Sequence, residues 1–428
     1  MRFIDGKLAQ FGSKPGLERI IKIMQELGNP QKEMRVVIVA GTNGKGSVTA
    51  FMSSVLSAAG YKTGSYYSPH LVDYNERFKI NGKKITKIKL EKYEKEMESL
   101  FDRGFEMTAF EALTAICYKY FKDEKVDFAI MEAGMGGEFD ATAVADPEIG
   151  VITNIALEHT EYLGDTIEKI ARTKASILRK GSIGVTGASG LVLNEIEQIA
   201  KANDVPIFAL GRDFFIHPEE ISSKRTVFNY LGTTLSAQKS RQCAPCSLLA
   251  NKCETHYARL ETSLLGAHQA DNAGIAIAAL EQLEEIPEEA IRKGIKKAEN
   301  PGRLQVISKS PLIVIDAAHN PAGIGSLVTS LSLFDFDKLI VVFGALANKD
   351  WKQMVNILGL HADVIIVNKQ KHENAANPDE IVKEAQRYCE SKKVEDVKES
   401  LKYAKSVAGK NDLIVVCGSI YMLGELLG

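Results

Sequence analysis

The sequence predicts an α/β protein of two domains built on mostly parallel sheets, the second smaller than the first. Two observations carry that reading. Short apolar runs of strand length alternate with helical patterns through most of the 428 residues, and continuous runs suit strands buried on both faces of a parallel sheet. A second set of such runs begins after Pro301. The first set comprises Arg35–Ala40 (RVVIVA), Asp127–Met131 (DFAIM) and Ile149–Asn154 (IGVITN). Val48, Phe51, Met52, Val55, Leu56 and Ala59 repeat at helical spacing between them and stop at Gly60. The second set is Leu312–Ile315, Leu339–Phe343, Val364–Val367 and Leu413–Val416. The join falls near Glu299–Gly302 (ENPG), giving expected domains over 1–299 and 300–428. Residues 222–262 break the rhythm and read as an irregular or hairpin insertion within the first.

Composition narrows the function classes. A net charge of −2 gives no general pull toward nucleic acid or an anionic membrane. The N-terminus MRFIDGKLAQ lacks a signal-peptide layout, and no apolar run approaches the ~20 residues of a membrane span. Six cysteines in so long a chain do not make a disulfide scaffold. The expectation is a cytoplasmic, monomeric protein acting on small molecules. Cys243, Cys246, Cys253 and His256, spaced C-x2-C-x6-C-x2-H, offer four ligands of zinc type, against the plainer reading of a polar insertion with reduced thiols.

Strand, glycine-rich loop and helix follow in order through VAGTNGKGSV (Val39–Val48), the context a phosphate loop requires. The strict Walker spacing fails, because Gly41 comes three residues before Gly44 and Gly46 separates Lys45 from Ser47. The chemistry is nonetheless present. Glycines let backbone N–H groups approach phosphate oxygens, and the helix N-terminus adds positive potential. Lys45 would meet the β/γ-phosphates and the Ser47 hydroxyl would ligate Mg²⁺.

Glu132 ends the DFAIM run and His159 follows IGVITN by five residues, both where open parallel sheets bind ligands. In DTIEKIARTKASILRK, Ile167, Ile170, Ala171, Ile177 and Leu178 form an apolar stripe, with Asp165 or Thr166 as N-cap. Lys174 lies in that stripe, away from the polar face of Glu168, Arg172, Ser176 and Arg179. A buried ammonium is costly, so its pKa should fall unless a partner is supplied. A neutral amine can take up carbon dioxide and become a carbamate; a snorkelling lysine is the ordinary alternative.

These residues carry a family resemblance. FGSKPGLERI (Phe11–Ile20), VAGTNGKGSV, YSPHLVDYNERFKING (Tyr67–Gly82) and EAGMGGEFDAT (Glu132–Thr142) resemble folylpolyglutamate synthase. So do LEHTEYLGDTIEKIARTKASI, GAHQADNA (Gly266–Ala273), PGRLQ (Pro301–Gln305), IDAAHNP (Ile315–Pro321) and GSIYMLGELL, in family order. The resemblance implies a Mur-ligase-like fold: a P-loop parallel-sheet domain followed by a smaller Rossmann-like α/β domain. It implies a ligase that uses ATP and Mg²⁺ to join L-glutamate to a folate, and also to dihydropteroate if the enzyme is bifunctional, through an acyl phosphate.

By matching motifs, Gly41, Thr42, Asn43, Gly44, Lys45, Gly46, Ser47, Val48, Asn272, Arg303, Asp316 and His319 would form the ATP site. Ser47, Ser68, Glu132 and His159 would hold Mg²⁺, with Lys174, as its carbamate, close by. Lys45, His159 and Lys174 would serve catalysis, and Asn75, Arg77, Asp140 and Thr142 the substrate. Cap and turn roles are the ordinary alternatives for Asp316 and His319. The chain departs from the family pattern at Glu138-Phe139 (usually Arg-Leu), Ala143 (Asn), Glu158 (Asp), Ser176 and Ala317 (both Gly). The nearest rival is a Mur-type ligase acting on a modified pterin or another carboxylate. The joint retention of Ser47, Glu132, His159, Lys174, Arg303, Asp316 and His319 argues against a nucleotide-dependent switch without ligation, and a P-loop kinase would not account for the second-domain motifs.

Overall fold

In the computed structural model, residues 1–8, 12, 14, 16–232 and 257–428 are described. Strands β1 (Arg35–Ala40), β2 (Thr63–Tyr66), β3 (Phe78–Ile80), β4 (Lys83–Lys84), β5 (Phe128–Glu132), β6 (Ile149–Ile152), β7 (Ile183–Thr186) and β8 (Ile207–Ala209) form one sheet. Their order is β4-β3-β2-β5-β1-β6-β7-β8, parallel from β2 to β8 and antiparallel at the β3–β4 edge. The first-set runs expected as strands occupy its centre. Alternation across the sheet explains why their central positions are apolar. Val36, Ile38 and Ala40 enter the core on one face, and Val37 and Val39 enter the core on the other. Each fully buried aliphatic side chain contributes roughly 1.5–3 kcal/mol, so a polar residue at any position from Val36 to Ala40 would be costly.

One face is covered by helices Glu18–Glu26, Lys87–Asp102 and Ala109–Asp123, the other by Lys45–Ala58, Ala267–Leu280 and Glu288–Lys297. Helix Glu288–Lys297 lies close against Lys45–Ala58: a Cβ on Gly294 would stand 2.4 Å from Val55 Cα. Residues 215–262 begin and end in an antiparallel sheet, β9 (Phe215–Ile221), β10 (Thr226–Leu231) and β11 (Tyr257–Thr262), ordered β11-β10-β9. The expected insertion is therefore a hairpin at its edges. Cys243, Cys246, Cys253 and His256, with the zinc expectation attached to them, lie outside the described residues.

The second lobe is a sheet of β12 (Gln305–Lys309), β13 (Leu312–Ile315), β14 (Leu339–Phe343), β15 (Val364–Val367), β16 (Glu390–Lys393) and β17 (Leu413–Cys417). Its order is β12-β13-β17-β14-β15-β16, parallel apart from β12. Val314, Leu413 and Val415 face one core while Ile313, Ile315, Ile414 and Val416 face the other, the same two-sided burial as in the first lobe. The carboxyl ends of strands from both sheets border a shared cleft. In the first sheet β1 lies between β5 and β6, so the loops after β1, β5 and β6 open where the strand order reverses.

Candidate active site

The loop after β1 takes its shape from two glycines. Gly41 has φ +141°, and a Cβ there would stand 1.9 Å from Thr153 Oγ1. Gly44 has φ +86°, and a Cβ there would stand 2.4 Å from Asn272 Oδ1. No other residue fits either place. The segment after β6 braces the loop. Thr42 N donates to Asn154 O (2.8 Å), Asn43 N to Asn154 Oδ1 (2.8 Å), and Thr153 Oγ1 to Asn43 O (2.6 Å). Helix Lys45–Ala58 starts there with buried Ser47, whose Oγ accepts from Asn300 Nδ2 at 3.1 Å. Lys45 Nζ folds over the loop, donating to Gly41 O (3.1 Å) and Thr42 O (3.0 Å).

Lys174 reaches the same carbonyl from below. Its side chain is 3% exposed and its Nζ donates to Gly41 O at 2.7 Å. Burial and the neighbouring Lys45 ammonium lower its pKa to about 7. The snorkelling alternative is thus excluded. Helix Ile167–Ala175 carries Lys174, capped by Thr166 rather than Asp165. Glu132 is buried at the end of β5, where its Oε2 accepts from Ser68 N at 3.3 Å. Burial raises its pKa, against the pull of Lys45 and Arg303. His159 has the left-handed φ of 53°; burial, then the Lys349 charge, lowers its pKa to about 4.

The two lobes enclose a cavity of about 690 Å³ whose wall includes Thr42, Asn43, Gly44, Lys45, Gly46, Ser68, Arg77, Glu132, Asp140, His159, Arg303 and His319. Gly41, Ser47, Val48 and Lys174 belong to the layer just beneath this wall, and Asn272 stands against Gly44. Asp140 serves its own loop, accepting from Met135 N (2.8 Å), Thr142 N (3.0 Å) and Thr142 Oγ1 (2.6 Å). Thr142 is fully buried behind it. Asn75 is partly buried beside Arg77, whose Nε donates to His70 Nδ1 at 3.0 Å. Asp316 accepts from Leu304 N and Ala318 N, each at 2.7 Å, so its carboxylate shapes the segment that joins the lobes. The cap of helix Pro321–Leu331 is Asn320, not Asp316 or His319.

Known families account for this arrangement. Residues 39–280 match the Mur ligase middle domain and residues 302–420 the Mur ligase glutamate ligase domain. The chain is 34% identical over 437 residues to the dihydrofolate synthase/folylpolyglutamate synthase of Bacillus subtilis, covering 99% of this chain and 96% of that one. This chain belongs to the folylpolyglutamate synthase/dihydrofolate synthase family. It is also 35% identical over 426 residues to the probable bifunctional folylpolyglutamate synthase/dihydropteroate synthase of Haloferax volcanii. That match covers 98% of this chain but only 49% of the archaeal protein, so the chain spans about half of that relative's length. Among solved structures of the family, Escherichia coli FolC in complex with DHPP and ADP superposes with a TM-score of 0.86, at 28% identity and with 99% and 95% of the two chains covered. A Yersinia pestis bifunctional folylpolyglutamate synthase/dihydrofolate synthase complexed with AMPPNP and Mn ion gives 0.83, at 27% identity with 99% and 95% covered.

Several residues at this family site escaped the sequence reading. Asn300, Asn320 and Lys349 join the lobes, and Glu158, in sequence only an exchange of carboxylates, joins them too. Glu158 Oε1 accepts from Lys349 Nζ (2.9 Å), His319 Nε2 (3.0 Å) and Asn320 Nδ2 (3.3 Å). Asn320 Nδ2 also donates to Asn43 Oδ1 of the phosphate loop at 3.0 Å. Burial opposes ionisation of Glu158, yet the His319 hydrogen bond and the Lys349 charge hold its pKa well below the usual carboxylate range. Lys349 was findable, since it lies in the loop at the carboxyl end of β14, as Glu132 lies at the carboxyl end of β5. For metal, Glu132 is the buried cavity carboxylate that stands beside Ser68, and no group of three or more His, Cys, Asp or Glu that could hold a metal gathers among the described residues. Such hard oxygen donors suit Mg²⁺ that draws its remaining ligands from phosphate and water.

Proposed function

We propose that this chain is an ATP-dependent ligase that adds L-glutamate to a folate, and to dihydropteroate as well, in the cytoplasm and as a monomer. The observation that carries the reading is the closed ring of contacts around the cleft. A phosphate loop from the first lobe meets Asn320, His319 and Lys349 of the second through Asn43 and Glu158. In the reaction, an acceptor carboxylate oxygen takes the γ-phosphoryl group and ADP leaves. The glutamate amine then attacks the acyl carbon, phosphate departs with the C–O bonding electrons, and the amine proton passes to solvent or a nearby base.

The chain's contribution is positioning and charge neutralisation. Gly41 to Val48 would cradle the phosphates through backbone N–H groups, with Lys45 turning from Gly41 O and Thr42 O onto the phosphate oxygens. Asn272, Arg303, Asp316 and His319 would complete the nucleotide site from both sides of the lobe junction at residues 299 and 300. Ser47, Ser68, Glu132 and His159 would hold Mg²⁺, which supplies further neutralisation of phosphate charge. Arg77, Asn75 and the Asp140–Thr142 loop would seat the acceptor. Lys174, with its amine near neutrality at physiological pH, is the group proposed to take up carbon dioxide. Shielding by the second lobe would keep water from the acyl phosphate.

A second reading, a Mur-type ligase for a modified pterin or other carboxylate, is favoured by one feature. Glu138 and Phe139 stand exposed in the cavity wall, where acceptor identity would be read. The deciding experiment is ADP release with Mg-ATP and L-glutamate, with dihydropteroate and a reduced folate offered separately and product masses read in parallel. A glutamate-sized mass gain on both is expected. No ADP release above background on either would remove folates as the substrate.

A further inference from the structure

We propose that Lys349 is the second lobe's contact to the γ-phosphoryl group, and that Glu158 is the positioning residue that places it. The inference rests on the ligase reading for its chemistry but not on which acceptor is used. Three donors of the second lobe converge on one oxygen of a first-lobe carboxylate: Lys349 Nζ at 2.9 Å, His319 Nε2 at 3.0 Å and Asn320 Nδ2 at 3.3 Å. Glu158 is buried at 9% exposure. A buried carboxylate needs such partners, since an unpaired charge there would be strongly destabilising. The cluster therefore forms only when the lobes are together.

Of the three donors, Lys349 has capacity left over. His319 Nδ1 is engaged with Ala317 O at 2.9 Å, and Asn320 is shared with Asn43 and caps its own helix. An ammonium carries three N–H donors, and Glu158 is the hydrogen-bond partner recorded for Lys349 among the described residues. Lys349 borders the cavity together with Lys45 and His159, and its charge acts on the His159 imidazole. Lys45 and the helix N-terminus serve the phosphates nearest the loop. A cation arriving from the opposite lobe meets the terminal phosphoryl group, on the side where an acceptor enters. During transfer the acceptor oxygen bonds to γ-phosphorus as the bond to the β-bridging oxygen breaks and ADP keeps that electron pair. Lys349 neutralises charge on the equatorial oxygens, and no proton changes hands in that step.

The test separates this from a merely structural contact and from a wrong acceptor. Affinities for ADP and for a non-hydrolysable ATP analogue are measured, with Mg²⁺, for the full chain and for Lys349→Met, Lys349→Arg, Glu158→Gln and the double variant Glu158→Gln/Lys349→Met. In Lys349→Met the analogue should bind about tenfold or more weaker while ADP changes by less than about threefold, and Lys349→Arg should recover part of the loss. Because Glu158 also holds His319 of the nucleotide site, the double variant is read on the ratio of analogue to ADP affinity, which adding Glu158→Gln to Lys349→Met should change by less than about twofold. Equal losses for ADP and analogue, an unchanged analogue affinity, or multiplying effects on that ratio in the double variant would each overturn the proposal. None of these readouts needs ligation, so failure of the folate reading would be seen separately in the ADP-release assay. If Glu158→Gln does not fold, the ADP-to-analogue ratio in the two Lys349 variants decides alone.

Discussion

Replacing Gly41 by alanine tests whether the phosphate loop is held by the contacts described. The new Cβ would stand 1.9 Å from Thr153 Oγ1 and 3.1 Å from Thr153 N, on a residue whose φ is +141°. The hydroxyl must rotate away, surrendering its 2.6 Å bond to Asn43 O. Leaving that acceptor unsatisfied costs about 1–3 kcal/mol. Holding alanine in so sparsely populated a backbone region costs about 1–3 kcal/mol more, and together these predict a loss of roughly 2–6 kcal/mol. Equilibrium urea unfolding of Gly41→Ala, Thr153→Ala and the double variant measures it. Thr153→Ala alone should lose about 1–3 kcal/mol with its hydrogen bond. The double variant should be at least ~1 kcal/mol better than the sum of the singles, since the clashing atom is gone. Strict additivity, or a Gly41→Ala cost under ~1 kcal/mol, would refute the assigned packing.

Other consequences can be checked directly. Lys174 has a native pKa of about 7 against 10.5 unperturbed, so the unfolded chain binds more protons than the native one between those values; stability should rise with pH across that window, by up to about 4–5 kcal/mol for this group, and the rise should vanish in Lys174→Met unfolding profiles. His159 titrates near 4 in the native state against 6.5 unperturbed, so its contribution to stability is lost as pH falls from 6.5 toward 4; His159→Gln should flatten that part of the profile. Lys174→Ala should bind ATP yet lose most ligation, about 100-fold or more in turnover; near wild-type turnover without added short carboxylates would count against a carbamate. Asn300→Ala removes the partner of Ser47 Oγ at 3.1 Å and should weaken Mg-ATP binding by about tenfold or less, read by calorimetry.

The strands and the loop are legible in the order of the residues alone. RVVIVA had to be a strand buried on both faces because every position from Val36 to Ala40 is apolar, and the structure sends alternate side chains into separate cores. GTNGKGS had to leave that strand as a phosphate-type loop because glycine falls where backbone must approach an anion, and the positive φ of Gly41 and Gly44 agrees. Lys174 was legible for the same reason: a lysine in an apolar stripe advertises burial. Local periodicity and local backbone demands are written in neighbouring residues, so a window of sequence suffices to read them.

What meets across the cleft follows from how the two lobes pack together. Nothing near Glu158 in the chain shows that its oxygen will gather Lys349, 191 residues away, with His319 and Asn320. Asn300 read as part of a linker until the fold brought it to Ser47. Asp316 reads as a ligand to nucleotide, and the fold adds that its carboxylate also holds Leu304 N, at the entry to the second lobe, and Ala318 N, in the loop after β13. A lone polar residue in sequence has no preferred partner; which one it finds depends on how two independently packed sheets come together. Burial then fixes the choice, because in a cleft closed to water each such group must satisfy its hydrogen bonds with whatever the other lobe presents.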